Sequence, residues 1–158
     1  MSDVLAIAEH RQGSIHDVSY ELISAGRDLV AAIDGTLHIG IVGGDIDTFA
    51  TQLNCEGVAT IHTVDYENEF NHAIQIQAVE SMITSVAPDH ILVPHTVNGL
   101  DYASALATRQ DRTLVTDVTG FENVEPLTVT REEYGGKVKA TYQIDSEKSL
   151  LTLRPTTW

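Results

Sequence analysis

The stretch HTVNGLDYASALA, His95 to Ala107, follows the apolar run ILVP and opens into a helical pattern. A strand, a turn carrying Asn98 and Gly99, an acid at Asp101 and then a helix form a layout that can hold an anion. The unpaired backbone N–H groups of a helix start supply the attraction. Asn98, Gly99 and Asp101 are therefore the candidate ligand residues of the chain. Their company argues that the loop has kept the shape and lost the task. Neither a Lys nor a Ser-Gly cluster accompanies the turn, and Asp101 puts a negative charge where a phosphate would sit. Asp101 serves better as the N-terminal cap of a helix over Tyr102 to Arg109.

Two other loops fall at strand ends, Glu9-His10-Arg11 and Gly43-Gly44-Asp45. GIVGGD sets Gly40, Gly43 and Gly44 at the wrong spacing for a GxGxxG fingerprint, so a tight turn is the better account. The seven histidines are scattered and form neither HxH nor HExxH. His10 and His95 could meet at the ligand edge of a sheet, although solvent-facing polar residues at strand ends are the plainer reading. No serine lies in a GxSxG elbow. Cys55 is the one cysteine, which excludes an internal disulfide and leaves it as structural filler. Nucleophile, base and oxyanion donor do not assemble, so the chain is expected to hold no catalytic site of its own and no metal.

The elements that must position these loops alternate. VLAIAEH is an apolar run of strand length, and HDVSYELISAGRDLVAAI places Val18, Leu22, Ala25, Leu29, Ala32 and Ile33 at helical spacing, stopped by Asp34-Gly35. LHIGIVGG, DTFATQL and VATIHTV read as strand, short helix and strand. Asn71 to Val86 is a longer helix with Ala73, Ile76, Ala78, Val79, Met82, Ile83 and Val86 facing inward, closed by Pro88. HILVP and TLVTDV add two strands around the helix at Tyr102. Near-continuous apolar strands taking turns with helices mean an α/β fold, an open parallel sheet of Rossmann-like type with helices on both faces. After Gly120 the pattern changes: LTVTREEYGGKVKATYQI reads as a β-hairpin turning at Tyr134-Gly135-Gly136, and SLLTLRP as a further short strand. The expected division is therefore one domain over residues 1–154, with an α/β core at 1–120, an antiparallel extension at 121–154 and a linker starting at 155–158.

Composition narrows the class. Hydrophobic residues make up 42%, too many for a disordered chain. The longest apolar runs are too short to span a bilayer, and MSDVLAIAEHR does not read as a signal peptide, so a soluble, cytoplasmic protein is expected. Acids number 23 against 9 bases, for a net charge of −14. Such a surface repels phosphate backbones, which makes nucleic acid a poor partner. The acids are spread along the chain and lysines are few, as in a surface selected for high salt. A halophilic source is the expectation.

Five motifs taken together resemble one family. VLAIAEHRQGSIHDVSYELISAGRDL is similar to the opening of the electron transfer flavoprotein alpha subunit, where an AEH-like strand end precedes a helix of this form. ILVPHTVNGLDYASALATR looks like that family's strand, loop and helix with G-R-D-L. TLVTDVTGFE, TREEYGGKVKATYQI and LTLRPTTW resemble its later strand, its hairpin and the segment that leads out of the first domain. They occur in the family's order and cover nearly the whole chain. One departure is Leu100, where the family often has Arg, and the lost cation further weakens anion binding at this loop.

The resemblance implies an adenine nucleotide hydrolase-like sheet that pairs with the electron transfer flavoprotein beta subunit. It implies FAD in the complete assembly, held mainly by a C-terminal domain that this sequence would lack, and no cofactor bound by this chain alone. Through that assembly electrons would pass from flavin dehydrogenases to a quinone-linked acceptor. In many beta subunits the loop equivalent to His95–Tyr102 holds an adenine nucleotide, whereas in alpha subunits it generally does not. A stand-alone adenine-nucleotide-binding module is the rival reading, and it would need a phosphate-gripping glycine loop. The hairpin residues Arg131, Tyr134, Gly136 and Lys137 are the candidate partner contact: Arg131, Lys137 and Lys139 gather three of the nine bases there, and Tyr134 suits an interface.

Overall fold

The computed structural model describes residues 2–158. Its strands and helices run β1 (Asp3–Ile7), β2 (His10–Arg11), β3 (Ser14–Ile15), α1 (Val18–Ile33), β4 (Thr36–Gly43), α2 (Ile46–Leu53) and β5 (Val58–Asp65), followed by α3 (His72–Val86) and β6 (His90–Pro94). Then come α4 (Val97–Arg109), β7 (Thr113–Val124), β8 (Leu127–Glu133), β9 (Val138–Gln143) and β10 (Ser149–Leu153). Eight strands form one sheet in the order β5-β4-β1-β6-β10-β7-β8-β9, and β2-β3 form a separate small ribbon. The pairs from β5 to β7 are parallel, and β7-β8-β9 are antiparallel. The Rossmann-like open sheet and its antiparallel hairpin are thus both present.

Burial follows the pleat. Val4 and Ala6 of β1, Ile39 and Ile41 of β4, Leu92 of β6 and Leu151 of β10 join Leu22, Leu29, Phe49 and Leu53 on the α1–α2 side. Leu5 and Ile7, Ile91 and Val93, and Leu150 join Val79, Met82, Tyr102 and Leu106 on the α3–α4 side. Because both faces are covered, the middle strands are apolar at most positions and their few polar residues, His90, Ser149 and Thr152, are buried too, which is why they read as runs rather than alternations. The helical faces follow their spacing, except that Ala32 and Ala73, at helix margins, are exposed.

Two placements differ from the sequence reading. SLLTL does not belong to the antiparallel extension: β10 lies parallel between β6 and β7, and all five of its residues are buried. The physical reason is that neither of its faces is solvated, Ser149 and Thr152 being buried along with the three leucines, whereas an edge strand of a hairpin would show one solvated side. The α/β core therefore includes 149–153. The second difference is the ribbon β2–β3, where the sequence suggests a loop; Gln12 and Gly13 both take positive φ (50° and 80°), the conformation of a two-residue hairpin turn.

The last residues are anchored. Glu21 on α1 accepts hydrogen bonds from the backbone N–H groups of Thr156, Thr157 and Trp158, at 2.9, 2.9 and 3.1 Å. The Trp158 ring packs on Phe121 with centroids 4.9 Å apart.

Candidate functional site

In an open parallel sheet the ligand cleft lies beyond the carboxyl ends of the strands, where the order reverses. Here that point is between β1 and β6, since β1 connects outward to β4 on one side while β6 starts the other half. The cleft is lined by Glu9 and His10 after β1, Val42 of β4, Phe70 and Gln75 at α3, and Asn98 and Tyr102 of α4. It encloses about 30 Å³. That is room for a water or two and not for an adenine ring.

Side chains fill it from each wall. The His10 ring stacks on Phe49 at 4.8 Å, and its Nε2–H donates to the Val42 carbonyl at 2.8 Å. Gly43 lies hard against this pair: a Cβ there would meet the Phe49 ring at 2.8 Å and the His10 ring at 2.9 Å. Close packing, not phosphate contact, explains that glycine. Tyr102 is buried, and burial pushes its phenol well above the ordinary tyrosine range, so the hydroxyl stays protonated.

The three candidate loop residues separate. α4 begins at Val97, not at Tyr102, and its cap is Thr96, whose Oγ1 accepts the Gly99 N–H at 3.1 Å. Asn98 lines the cleft. Gly99 is a packing residue in the first turn, where a Cβ would sit 1.9 Å from the Pro94 carbonyl oxygen. Asp101 is not a cap: it lies inside the helix and pairs with His72 Nδ1 of α3 at 3.0 Å. The first turn instead turns Val97, 80% exposed, and Leu100 toward solvent.

Glu9 is the residue that sequence reasoning left unassigned. Its Oε1 accepts a hydrogen bond from the Thr96 hydroxyl at 2.7 Å, and its side chain is only 10% exposed. A carboxylate therefore already sits at the start of α4, the position a phosphate would need. A nucleotide of the kind expected at the equivalent loop of beta subunits does not fit these residues, neither by volume nor by charge.

His10 and His95 take separate partners. Thr152 Oγ1 accepts the Asp117 N–H at 2.8 Å, so its one proton is free to reach His95 Nδ1 at 2.9 Å. His95 Nε2 then faces Asp117 Oδ1 at 3.7 Å. Burial holds the His95 imidazole below its ordinary range, against the opposing pull of Asp117. Asp117, at φ 61°, receives a two-pronged contact from Arg154: Nε to Oδ1 at 2.9 Å and Nη2 to Oδ2 at 2.6 Å. Those hydrogen bonds hold its carboxyl below the usual carboxylate range. Arg154 Nη1 reaches on to Glu132 at 2.7 Å, which ties the end of β10 to β8 close to the hairpin turn.

The four hairpin candidates divide in two. Arg131 is half-buried and donates from Nη1 to Thr116 Oγ1 at 3.2 Å. Tyr134, Gly136 and Lys137 form the tip with Gly135, all exposed, and Tyr134 is 76% accessible. Positive φ at Tyr134, Gly135 and Gly136 in succession is what the two glycines make affordable. Val138 and Tyr142 extend the exposed apolar surface along β9. Among the described residues no group of three His, Cys, Asp or Glu is placed to hold a metal ion, and no helix is long and apolar enough to cross a membrane.

The family model described as electron transfer flavoprotein domain matches residues 4–158. An electron transfer flavoprotein subunit alpha of Methylophilus methylotrophus is 32% identical over 158 residues, covering 98% of this chain and 49% of the relative. That of Syntrophomonas wolfei is 29% identical over 161 residues, with the same shares, and the protein FixB of Bradyrhizobium diazoefficiens is 27% identical over 164 residues, covering 96% and 43%. The chain spans about half the length of the curated relatives it matches.

Proposed function

The chain belongs to the electron transfer flavoprotein family, and from that premise we propose that it works as the scaffold domain of an alpha subunit. In this reading residues 1–154 form the domain and 155–158 begin the passage toward a second, FAD-bearing domain. The domain pairs with the beta subunit and gives the flavin domain a surface to rest on. The assembly carries electrons from flavin dehydrogenases to a quinone-linked acceptor, as an electron carrier rather than an enzyme. FAD supplies the redox chemistry when bound elsewhere in that assembly; this chain supplies shape and contact.

The observation that supports a scaffold over a nucleotide module is the cleft at β1 and β6, reduced to about 30 Å³ and already holding the Glu9 carboxylate. The tip residues Tyr134, Gly136 and Lys137 are our choice for the partner contact, with Arg131 holding the hairpin on the core. An exposed tyrosine beside basic residues on an otherwise acidic chain supports that choice. A cytoplasmic location and a source adapted to high salt complete the proposal, the second on the net charge of −14.

The test is assembly. Mixed with the beta subunit from the same organism, the chain is expected to elute as a one-to-one complex in size-exclusion chromatography with light scattering. Elution as two separate proteins at tens of micromolar would contradict the scaffold reading.

A further inference from the structure

We infer that Glu9 is an internal anion, a fixed carboxylate that takes the place of a ligand phosphate and makes this cleft refuse oxyanions. The inference rests on the scaffold reading and names the residue that enforces it.

The start of α4 meets the conditions for anion binding: it lies at the switch point of the sheet and begins a helix of 13 residues. Thr96 caps it by accepting the Gly99 N–H, and the same hydroxyl donates a hydrogen bond to Glu9 Oε1. Glu9 comes from the far side of the cleft, 87 residues earlier, so this is a tertiary contact and not a cap. Its backbone is pinned at both groups. The N–H donates to Ser19 Oγ at 2.8 Å, and the carbonyl accepts from Ser19 Oγ at 3.0 Å and from the His16 N–H at 2.8 Å.

Glu9 Oε2 is buried and accepts no hydrogen bond. Arg11 Nη2 lies 3.7 Å and His16 Nδ1 4.0 Å from it. A carboxylate so enclosed, with one oxygen unsatisfied, is costly unless a positive field offsets it. The helix N-terminus and Arg11 supply that field, as they would for a phosphate. A phosphate entering the cleft would have to displace the carboxylate or lie beside it, and like charges at such range repel strongly.

The experiment uses inorganic phosphate as the probe, followed on the Thr96 and Gly99 amides by two-dimensional NMR. Wild type is compared with Glu9→Gln, which keeps the shape and removes the charge, and Glu9→Ala, which removes both. Wild type is expected to show no saturable shift, Glu9→Ala to bind at least about tenfold more strongly than the wild-type limit, and Glu9→Gln to fall between. Unchanged circular dichroism verifies the fold, and Glu9→Gln carries the test if Glu9→Ala does not fold. A folded variant that binds phosphate no better than wild type overturns the role of Glu9 and leaves the scaffold reading standing. Saturable shifts at these amides in wild type overturn both.

Discussion

The middle of the sheet and its hairpin end obey different rules. β6 and β10 are buried at all ten positions, between two helical layers, and every side chain there is fixed by packing. β9 has five exposed positions of six and begins at a turn, residues 134–137, that is exposed throughout. The centre has a sequence because the fold requires it. The hairpin has Tyr134, Lys137 and Tyr142 without such a requirement, and residues the fold does not need are the ones free to serve a partner. Between the two sits Arg154, bonded to Asp117 and Glu132, the hinge at which one regime passes into the other.

Substitutions on the two sides should separate stability from assembly. Leu151→Ala, in the fully buried strand β10, is expected to cost about 3 kcal/mol in urea unfolding, the usual loss for a buried leucine and its cavity. Arg154→Met breaks the two-pronged contact and leaves Asp117 half-enclosed, for a loss of about 1.5 kcal/mol, discounted because the arginine is about one-third exposed. Both effects would appear in the isolated chain.

Acid should act on the centre first. Burial holds the His90 imidazole below 6.5, with Asp89 opposing and Arg112 assisting, and its Nδ1 is bonded to Ser149 of β10 at 2.8 Å. In the window below 6.5 the unfolded chain binds a proton that the folded chain does not. The stability this supplies is complete above pH 6.5 and is lost as pH falls toward the depressed value. His62 and His95 shift in the same direction. The urea midpoint is expected to drop between pH 7 and pH 5, with a shallower slope in His90→Gln. Smallest of all, Tyr134→Ser should change stability by less than about 0.5 kcal/mol while weakening the complex with the beta subunit at least about tenfold. A large loss of stability at Tyr134 would erase the distinction between the two regions.

What the sequence made legible follows the same division. The helices were readable from their 3.6-residue apolar period, α3 to within one residue and α1 to within two at its start. The hairpin was readable from alternation around Gly135-Gly136. The position of β10 was not: three leucines in a run of five residues identify a strand but carry no record of their neighbours, and the register that inserts them between β6 and β7 is a property of the finished sheet. The start of α4 was misplaced because Asn98-Gly99 resembles a turn, and only the close approach to Pro94 shows why a glycine stands in the first helical turn. Thr96 was the available signal for that cap. Glu9 was visible as a strand-end acid, yet its meaning depends on a contact with Thr96 that only tertiary structure makes. Asp101, chosen because it lies next to the loop, spends its charge on His72 instead.

Calorimetric titration of the wild-type chain with AMP, then ATP, then FAD, in molar KCl, tests the central claim most directly. The account predicts no binding heat from any of the three, because the cleft is closed and its anion is built in. Micromolar binding of AMP or ATP would contradict it and make the chain a nucleotide-binding module.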